Sequence, residues 1–351
     1  MITKLAANIP NVETDENGEP RLPRSYTLKF VGDWGGANFH RICSWLTQQF
    51  CDRAGAGSRT SIWSLRDGGL DGLMQVHDGE ADLAICTPAA LMGKALTGEA
   101  PFPKAMPHLR AIGTLPQNDR LVLAVHPKHN VQSFEDLRRQ QTPLRIATSV
   151  NDGTNFIGYV AEEFLQAHGI SKATIESWGG ALLTAQRPEQ CTALVEDGQA
   201  DALLQEAIMT VWWRRLVEGD KLVPLPAEAG ALESLRKSVG LGTNPLPAGW
   251  WNNLSTDLPA LDFSDFVIFV RDDMPMEVAY LLTWCLVETR HMLEGQYKHI
   301  PPEKSPLSYP LDPGKMAQTP IPLHEGANVY YSEMKDRSKD DSKRKKVISP
   351  F

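Results

Sequence analysis

The stretch VGDWGGANFH, residues 31–40, joins a predicted strand to a predicted helix through a glycine-rich turn. Apolar residues alternate over residues 25–31 and return at helical spacing over residues 39–50. A helix N-terminus presents unpaired N–H groups and a positive dipole end, so it favours a phosphate or a carboxylate. The spacing of Gly32, Gly35 and Gly36 matches neither the dinucleotide fingerprint nor the P-loop. The turn therefore indicates a general anion site, or a tight turn that simply needs glycine.

A second turn of this kind, SVNDGTN, follows the predicted strand at residues 144–148 and precedes an amphipathic helix at residues 156–168. Ligands of open α/β sheets bind at the carboxyl ends of the strands, so the two turns should converge on one cleft. The ligand-binding candidates that they supply are Gly35, Gly36, Asn38, Asn151, Gly153, Thr154 and Asn155.

Further candidates lie outside the two turns. Arg66 could clamp a carboxylate through two N–H groups, although an arginine before a turn is equally typical of a solvated surface. Gln205 ends the predicted strand at residues 201–205. Tryptophan more often lines a core than a ligand, and Trp34 and Trp178 are favoured as pocket walls because glycines flank them.

Three residues could move a proton if the protein is an enzyme: His40, Asp152 and Glu206. His40 could equally cap a helix or face solvent, and Glu206 could lie at a solvated helix start or select a cationic ligand group. The sequence contains no Ser-His-Asp order, no nucleophile elbow and no set of residues at metal-ligand spacing. We expect neither a metal nor a cofactor, and any catalysis must be acid–base or electrostatic.

Strand and helix patterns alternate between the two ends of the chain. Examples are the strand RLVLAV at residues 120–125 and the capping-box spacing of Ser133 and Asp136. The unit HDGEADLAI, at residues 77–85, is echoed by EDGQADALL at residues 196–204. This alternation predicts an α/β fold of two lobes with mainly parallel sheets.

Composition narrows the class of protein. The chain has 351 residues and a formal net charge of −8, which argues against nucleic acid as the main partner. Its five cysteines show no pattern and fit a reducing compartment. The N-terminus lacks the features of an export signal, so we expect a cytoplasmic location, or a periplasmic one if a leader was removed. Residues 1–24 and 336–351 read as a flexible arm and a flexible charged tail.

The segment IPLHEGANVYYSE, residues 321–333, resembles the C-terminal signature of the TAXI-type solute receptors of TRAP transporters, with Glu325 in place of the usual proline. GDWGGANFH, DGEADLAI and DGQADALL match further elements of that family in the expected order. The resemblance places the chain in the class of type II periplasmic binding proteins. It implies an interlobe cleft for a small carboxylate, with TRAP-type membrane subunits as partners, and a ligand contact at Thr87.

The resemblance also implies domain boundaries. The chain should cross between lobes near Pro116 to Arg120 and return near Asp262 to Phe266, which gives lobe 1 as residues 25–117 with 264–335 and lobe 2 as residues 118–263. The chain also departs from the family pattern, for example with Gly69 and Gly72 at positions usually held by Ser and Asn near the ligand. These departures indicate that the pocket contacts its ligand through different residues.

Three functions remain open at this point. The first is a solute-binding protein that closes on a small organic acid, with an aromatic or ring-bearing acid suiting the tryptophans. The second is a cytoplasmic enzyme on the same fold, such as a decarboxylase or other lyase for a ring-bearing acid. The third is a sensor or carrier that binds the same ligand without turnover.

Overall fold

The computed structural model describes residues 9–32, 38–65 and 69–348, with side chains to residue 337. Trp34, Gly35, Gly36 and Arg66 lie outside these ranges, and their predicted contacts stay predictions. The described residues form a mixed α/β fold of two lobes, each built on one sheet. A two-stranded hairpin precedes the first lobe, with strands β1 (Glu13–Thr14) and β2 (Pro20–Arg21).

The sheet of lobe 1 has five strands in the spatial order β4-β3-β5-β13-β6. In chain order the strands are β3 (Thr27–Gly32), β4 (Arg59–Ser64), β5 (Leu83–Cys86), β6 (Leu109–Leu115) and β13 (Phe266–Arg271). The helices of this lobe are α1 (Asn38–Cys51), α2 (Leu70–His77), α3 (Met92–Thr97), α10 (Met276–Glu288), α11 (Arg290–Gly295), α12 (Pro313–Met316) and α13 (Glu325–Ile348).

The sheet of lobe 2 follows the order β11-β7-β10-β8-β9, with β12 paired beside β7. Its strands are β7 (Arg120–Val125), β8 (Arg145–Ser149), β9 (Ala181–Ala185), β10 (Ala202–Gln205), β11 (Val223–Pro224) and β12 (Leu261–Asp262). Its helices are α4 (Phe134–Gln140), α5 (Phe156–Ala167), α6 (Lys172–Ser177), α7 (Pro188–Glu196), α8 (Val211–Glu218) and α9 (Ala229–Ser238).

The chain passes from the sheet of lobe 1 to that of lobe 2 between Leu115 and Arg120, and it returns between Asp262 and Phe266. The strands at these passages run antiparallel to their neighbours: β13 to both β5 and β6, and β7 to β10. Both sheets are therefore mixed rather than mainly parallel as the alternation predicted. A parallel ladder needs a helical crossover between its strands, and the passages between lobes carry none.

Hydrophobic periodicity places the helices as expected. On α1 the residues that face the core include Phe39, Ile42, Leu46 and Phe50, and on α10 nearly every side chain is buried. Helix α10 therefore lies inside lobe 1 rather than on its surface. Three helices of lobe 2, α4, α5 and α6, begin at Ser133, Asn155 and Ser171, whose side chains accept main-chain N–H groups.

The N-terminal arm is a correction to the sequence analysis over its described part, residues 9–24. Ile9 and Leu22 are buried in the core of lobe 1, and the Asp15 carboxylate pairs with Arg21 at 2.7 Å. The Leu22 N–H donates to the carbonyl of Arg53 at 2.9 Å. The two apolar residues on either side of the hairpin thus hold this polar segment against lobe 1. At the other end, the backbone of α13 is helical as far as Ile348.

Candidate functional site

A cavity of about 470 Å³ lies between the two lobes. Lobe 1 contributes Asn38, Phe39, Arg41, Gly69, Thr87 and Pro306 to its wall, and Gln117 comes from the passage between lobes. Lobe 2 contributes Asn155, Phe156, Ile157, Gln186, Pro188, Glu189, Glu206, Ala207, Met209, Thr210 and Trp212. A mainly apolar cavity with a few convergent polar groups is the usual form of a small-molecule site.

The lobes touch beside this cavity. The Leu70 N–H at the start of α2 donates to the Thr154 carbonyl of lobe 2 at 3.0 Å. A Cβ atom at Gly69 would lie 3.1 Å from the Phe156 main-chain nitrogen, so glycine permits this close approach. The Phe102 ring of lobe 1 meets the Phe156 ring edge-on with centroids 5.5 Å apart. The structure is therefore a conformation in which the lobes are in contact.

Lobe 1 holds its polar cavity residues through contacts inside the lobe. The Asn38 amide donates to the carbonyl of Pro306 at 3.0 Å, and its oxygen accepts the Tyr297 hydroxyl proton. The Thr87 hydroxyl donates to the Asp265 carbonyl at 3.0 Å, across to the returning passage. These bonds fix the side chains before any ligand arrives.

Lobe 2 contributes two amide side chains from the ends of two adjacent strands. Asn155 follows β8 and caps α5, where its oxygen accepts the N–H groups of Ile157 at 2.8 Å and Gly158 at 3.2 Å. Its amide nitrogen donates to the Gln186 carbonyl at 3.3 Å, which ties the cap to the loop after β9. The capping role explains why an asparagine stands here. The same contacts place both side chains at the cavity.

The chemically distinctive feature is a buried pair of carboxyl groups, Asp119 and Glu206. The Asp119 carboxylate accepts four N–H groups at 2.7 to 3.2 Å, from the Gln117 side chain and from the main chain of Arg120, Ala207 and Ile208. Burial and the adjacent Asp119 raise the pKa of Glu206 well above its ordinary value. Burial raises the pKa of Asp119 as well, but its four N–H donors favour the charged form of Asp119, so a proton shared by the pair favours Glu206, which lines the cavity.

Two further charged residues line the cavity. Arg41 is exposed at its edge, with its guanidinium 5.4 Å from the Tyr297 ring centroid. Glu189 has one carboxylate oxygen 3.7 Å from Arg187, and the other is buried without a hydrogen-bond partner in the described structure. The Thr210 hydroxyl is also buried and unpartnered. Unsatisfied polar atoms in a cavity wall are available to a ligand.

Among the predicted site residues, Asn38, Thr87, Asn155 and Glu206 line the cavity together. The wall formed by the described residues does not include His40, Asn151, Asp152, Gly153, Thr154, Trp178 or Gln205.

The contacts of these other residues explain their positions. Thr154 donates its hydroxyl to Asp152 at 2.6 Å, and Asn151 turns outward to Glu162 at 2.9 Å. The Gln205 side chain donates to the Ser149 hydroxyl at 2.7 Å, a buried bond between the ends of β10 and β8. Trp178 packs on the lobe 2 core after α6. Direct ligand contact stays a prediction for all of them.

The sequence analysis did not predict that Gln117, Gln186 and Met209 line the cavity. It also favoured Trp34 and Trp178 as pocket walls, whereas the tryptophan in the described cavity wall is Trp212. Gln117 lies in a passage between lobes, where no helix or strand pattern marks a side chain for attention. Trp212 is one of two consecutive tryptophans, and its neighbour Trp213 is the one buried in the core, with its indole N–H on the Glu206 carbonyl at 2.8 Å. Consecutive residues of a helix face different directions, so the position of each tryptophan on α8 determines which one is buried and which one lines the cavity. The apolar periodicity of α8 could have predicted this difference from the sequence.

The described part of the chain contains no group of three or more His, Cys, Asp or Glu side chains placed to hold a metal ion. Within the same residues, no helix combines the length and the apolar character needed to cross a membrane.

Residues 59–334 match the NMT1-like family. No curated protein matches the chain. Among solved structures, one described as a periplasmic transporter is 14% identical with a TM-score of 0.50, and the match covers 91% of this chain and 97% of the other.

Two further solved structures are similar at lower scores. A Xanthomonas citri protein solved with ATP is 11% identical with a TM-score of 0.49, and the match covers 89% of this chain and 99% of that one. MatC of Rhodopseudomonas palustris, solved with malate, is 11% identical with a TM-score of 0.47, covering 88% and 98%. The family match extends over most of the sequence, and the chain therefore belongs to the NMT1-like family and has the two-lobed fold of periplasmic binding proteins.

Proposed function

We propose that the protein binds a small organic acid in the cavity between its lobes. The observation that carries this proposal is the convergence of polar side chains from both lobes on one cavity: Asn38 and Thr87, Gln117 from the passage, and Asn155 and Gln186. A ligand that bonds to both sets is held only when the lobes are together. Its binding energy therefore favours closure.

The cavity wall holds a cation on lobe 1, Arg41, and a carboxylate on lobe 2, Glu189, so the acid group of a ligand is best placed on the lobe 1 side. The raised pKa of Glu206 favours its protonated form, which does not repel a carboxylate and can donate a hydrogen bond to one. Arg41 at the edge supplies a positive charge. Phe39, Phe156 and Trp212 would contact the apolar body of the ligand, which favours an acid that carries a ring.

The experiment begins with native mass spectrometry of protein purified from its own host, which gives the mass of any retained acid. A thermal-shift series with benzoate, phenylacetate, malate and adipate complements it. Gln186→Trp fills the cavity, and Gln199→Trp places the same side chain on an exposed loop. We expect stabilisation by an acid in the wild type and Gln199→Trp but not in Gln186→Trp. Equal stabilisation of both variants would exclude the cavity as the site.

A finer proposal follows from the TAXI-like elements of the sequence. The closed, loaded form would dock on TRAP-type membrane subunits and deliver the acid, which requires a periplasmic location. A pull-down of such subunits that depends on the acid would support this proposal. Binding of the acid by a protein that stays in the cytoplasm would favour a sensor or carrier.

One observation favours an enzyme as the second candidate, namely the buried Glu206 carboxyl at the cavity wall, whose pKa is raised by burial and by Asp119. A carboxylic acid with a raised pKa can donate a proton to a carbanion, as a decarboxylase or other lyase requires. Incubating the retained acid with excess protein tests this candidate. Release of carbon dioxide or another fragment, abolished in Glu206→Gln, would show an enzyme, and an unchanged acid would show a binding protein.

A further inference from the structure

A second hollow of about 590 Å³ lies beside the interlobe cavity. We call it the tryptophan groove, and its main residues are Trp212, Trp250, Trp251, Arg214, His299 and Lys304. It runs between the start of α8 and the segment that follows α11. Trp250 and Trp251 present only small parts of their rings, since their exposed fractions are 4% and 1%, whereas Trp212 is half-buried.

The groove is positively charged although the whole chain carries a net charge of −8. Arg214 and Lys304 line it, and no Asp or Glu is among the described residues of its wall. Within the described structure neither cation forms a salt bridge, and the Lys304 ammonium lies 6.0 Å from the Trp250 ring centroid. Two cations without a carboxylate partner beside aromatic rings form a surface that attracts an anion with a flat apolar body.

The groove adjoins the interlobe cavity. Met209, Thr210, Trp212 and Pro306 line both spaces, so the two spaces meet along these four residues. The Thr210 hydroxyl on this shared wall is buried without a hydrogen-bond partner. A molecule longer than the cavity would reach Arg214 by passing Trp212, whose side chain is only half-buried.

We propose that the tryptophan groove is a second ligand subsite, which takes an anionic aromatic extension of the molecule bound between the lobes. The extension stacks on Trp212, and its carboxylate, sulfonate or phosphate pairs with Arg214 and Lys304. This inference rests on the proposed binding between the lobes. It deepens that proposal by making the preferred ligand an extended molecule with acid groups at separated positions.

The test uses 8-anilino-1-naphthalenesulfonate, an aromatic sulfonate whose fluorescence rises on binding, and N-phenyl-1-naphthylamine, which has the same rings and no charge. Both probes are titrated into the full chain, into Arg214→Ala/Lys304→Ala, and into Lys172→Ala/Lys221→Ala. The last variant removes two exposed lysines elsewhere on lobe 2 and is the matched control for net charge. Circular dichroism and melting temperature confirm the fold of each variant.

We expect the groove variant to bind the sulfonate at least tenfold more weakly than the wild type and the neutral amine with unchanged affinity. The charge control should bind both probes as the wild type does. The inference is overturned if the sulfonate does not bind, if the two double variants lose affinity equally, or if the groove variant loses both probes alike. None of these outcomes bears on the Gln186→Trp test, so the failure of the subsite and the failure of the interlobe site are distinguishable.

Discussion

The Asp119 carboxylate accepts the main-chain N–H of Ala207 at 2.9 Å, and this bond links the first passage between lobes to the residue that follows Glu206. The same carboxylate accepts the N–H of Ile208 at 3.2 Å. The element that must bend when the lobes open is therefore attached to the strand end that presents Glu206 to the ligand. Any change in the charge of this pair alters the cavity and the passage together.

The first prediction concerns pH. Burial and Asp119 raise the pKa of Glu206, so the folded chain binds a proton that the unfolded chain releases. Its contribution is favourable below the raised pKa, and the free energy of unfolding falls as pH rises from the ordinary value of 4.5 through the raised one. Glu206→Gln should remove most of the decline that begins above pH 4.5, as urea unfolding over a series of pH values measures. The prediction is contradicted if the free energy of unfolding falls equally with pH in the wild type, in Glu206→Gln and in the exposed control Glu176→Gln.

The second prediction concerns Asp201, the residue directly before β10. Its carboxylate meets Arg145 at 2.7 Å and Lys128 at 2.6 Å, and the Arg145 hydrogen bond lowers its pKa. This stabilisation is present above the ordinary pKa of 3.8 and is lost as pH falls through the lowered value. Asp201→Asn should cost about 2 kcal/mol near neutral pH, a value reduced by the exposure of both cations. An effect no larger than that of Glu233→Gln, an exposed pair, would show that the cluster is only a surface feature.

The third prediction separates the two roles of Asn155. Asn155→Ala should lose about 1 kcal/mol of stability through the cap of α5 and should also weaken binding of the retained acid. Asn155→Ser keeps a capping oxygen but is too short to reach the cavity, so it should keep stability and lose affinity. Urea unfolding and calorimetry measure the two effects separately. Full affinity in Asn155→Ser would remove Asn155 from the site.

The fourth prediction uses a pair of glycines in helices. A Cβ atom at Gly158 on α5 would lie 1.9 Å from the Val150 carbonyl oxygen, whereas one at Gly230 on α9 would meet nothing within 4 Å. Gly158→Ala should therefore destabilise the protein by at least about 3 kcal/mol or prevent folding. Gly230→Ala should raise the melting temperature slightly, because alanine loses less backbone entropy in a helix. A tolerated Gly158→Ala would show that α5 and the turn after β8 are not packed as described.

Periodicity and turn chemistry predicted much of the fold. The strand at Arg120–Val125 was predicted at its observed bounds, and Ser133 accepts the Asp136 N–H as the capping box required. Helix α5 was predicted from Phe156 and ends within a residue of its predicted end. Such elements are local, and their signals lie within a few residues of one another.

The parts that were not predicted depend on contacts between distant residues. Ile9 and Leu22 stand in a polar segment, and only the surface of lobe 1 makes them core residues. Glu206 was singled out for its place at a strand end, but its raised pKa depends on burial and on Asp119, which is distant in sequence. Gln117 and Gln186 line the cavity because the two lobes come together there, and a local sequence pattern does not predict contacts between lobes.

A crystal structure of the protein with the acid found by native mass spectrometry would show directly whether the acid lies between the lobes. We expect density for the acid there, within hydrogen-bond distance of side chains from both lobes, with Asn38 on one side and Asn155 on the other. Density for the acid elsewhere, with the interlobe cavity filled only by water, would contradict this expectation.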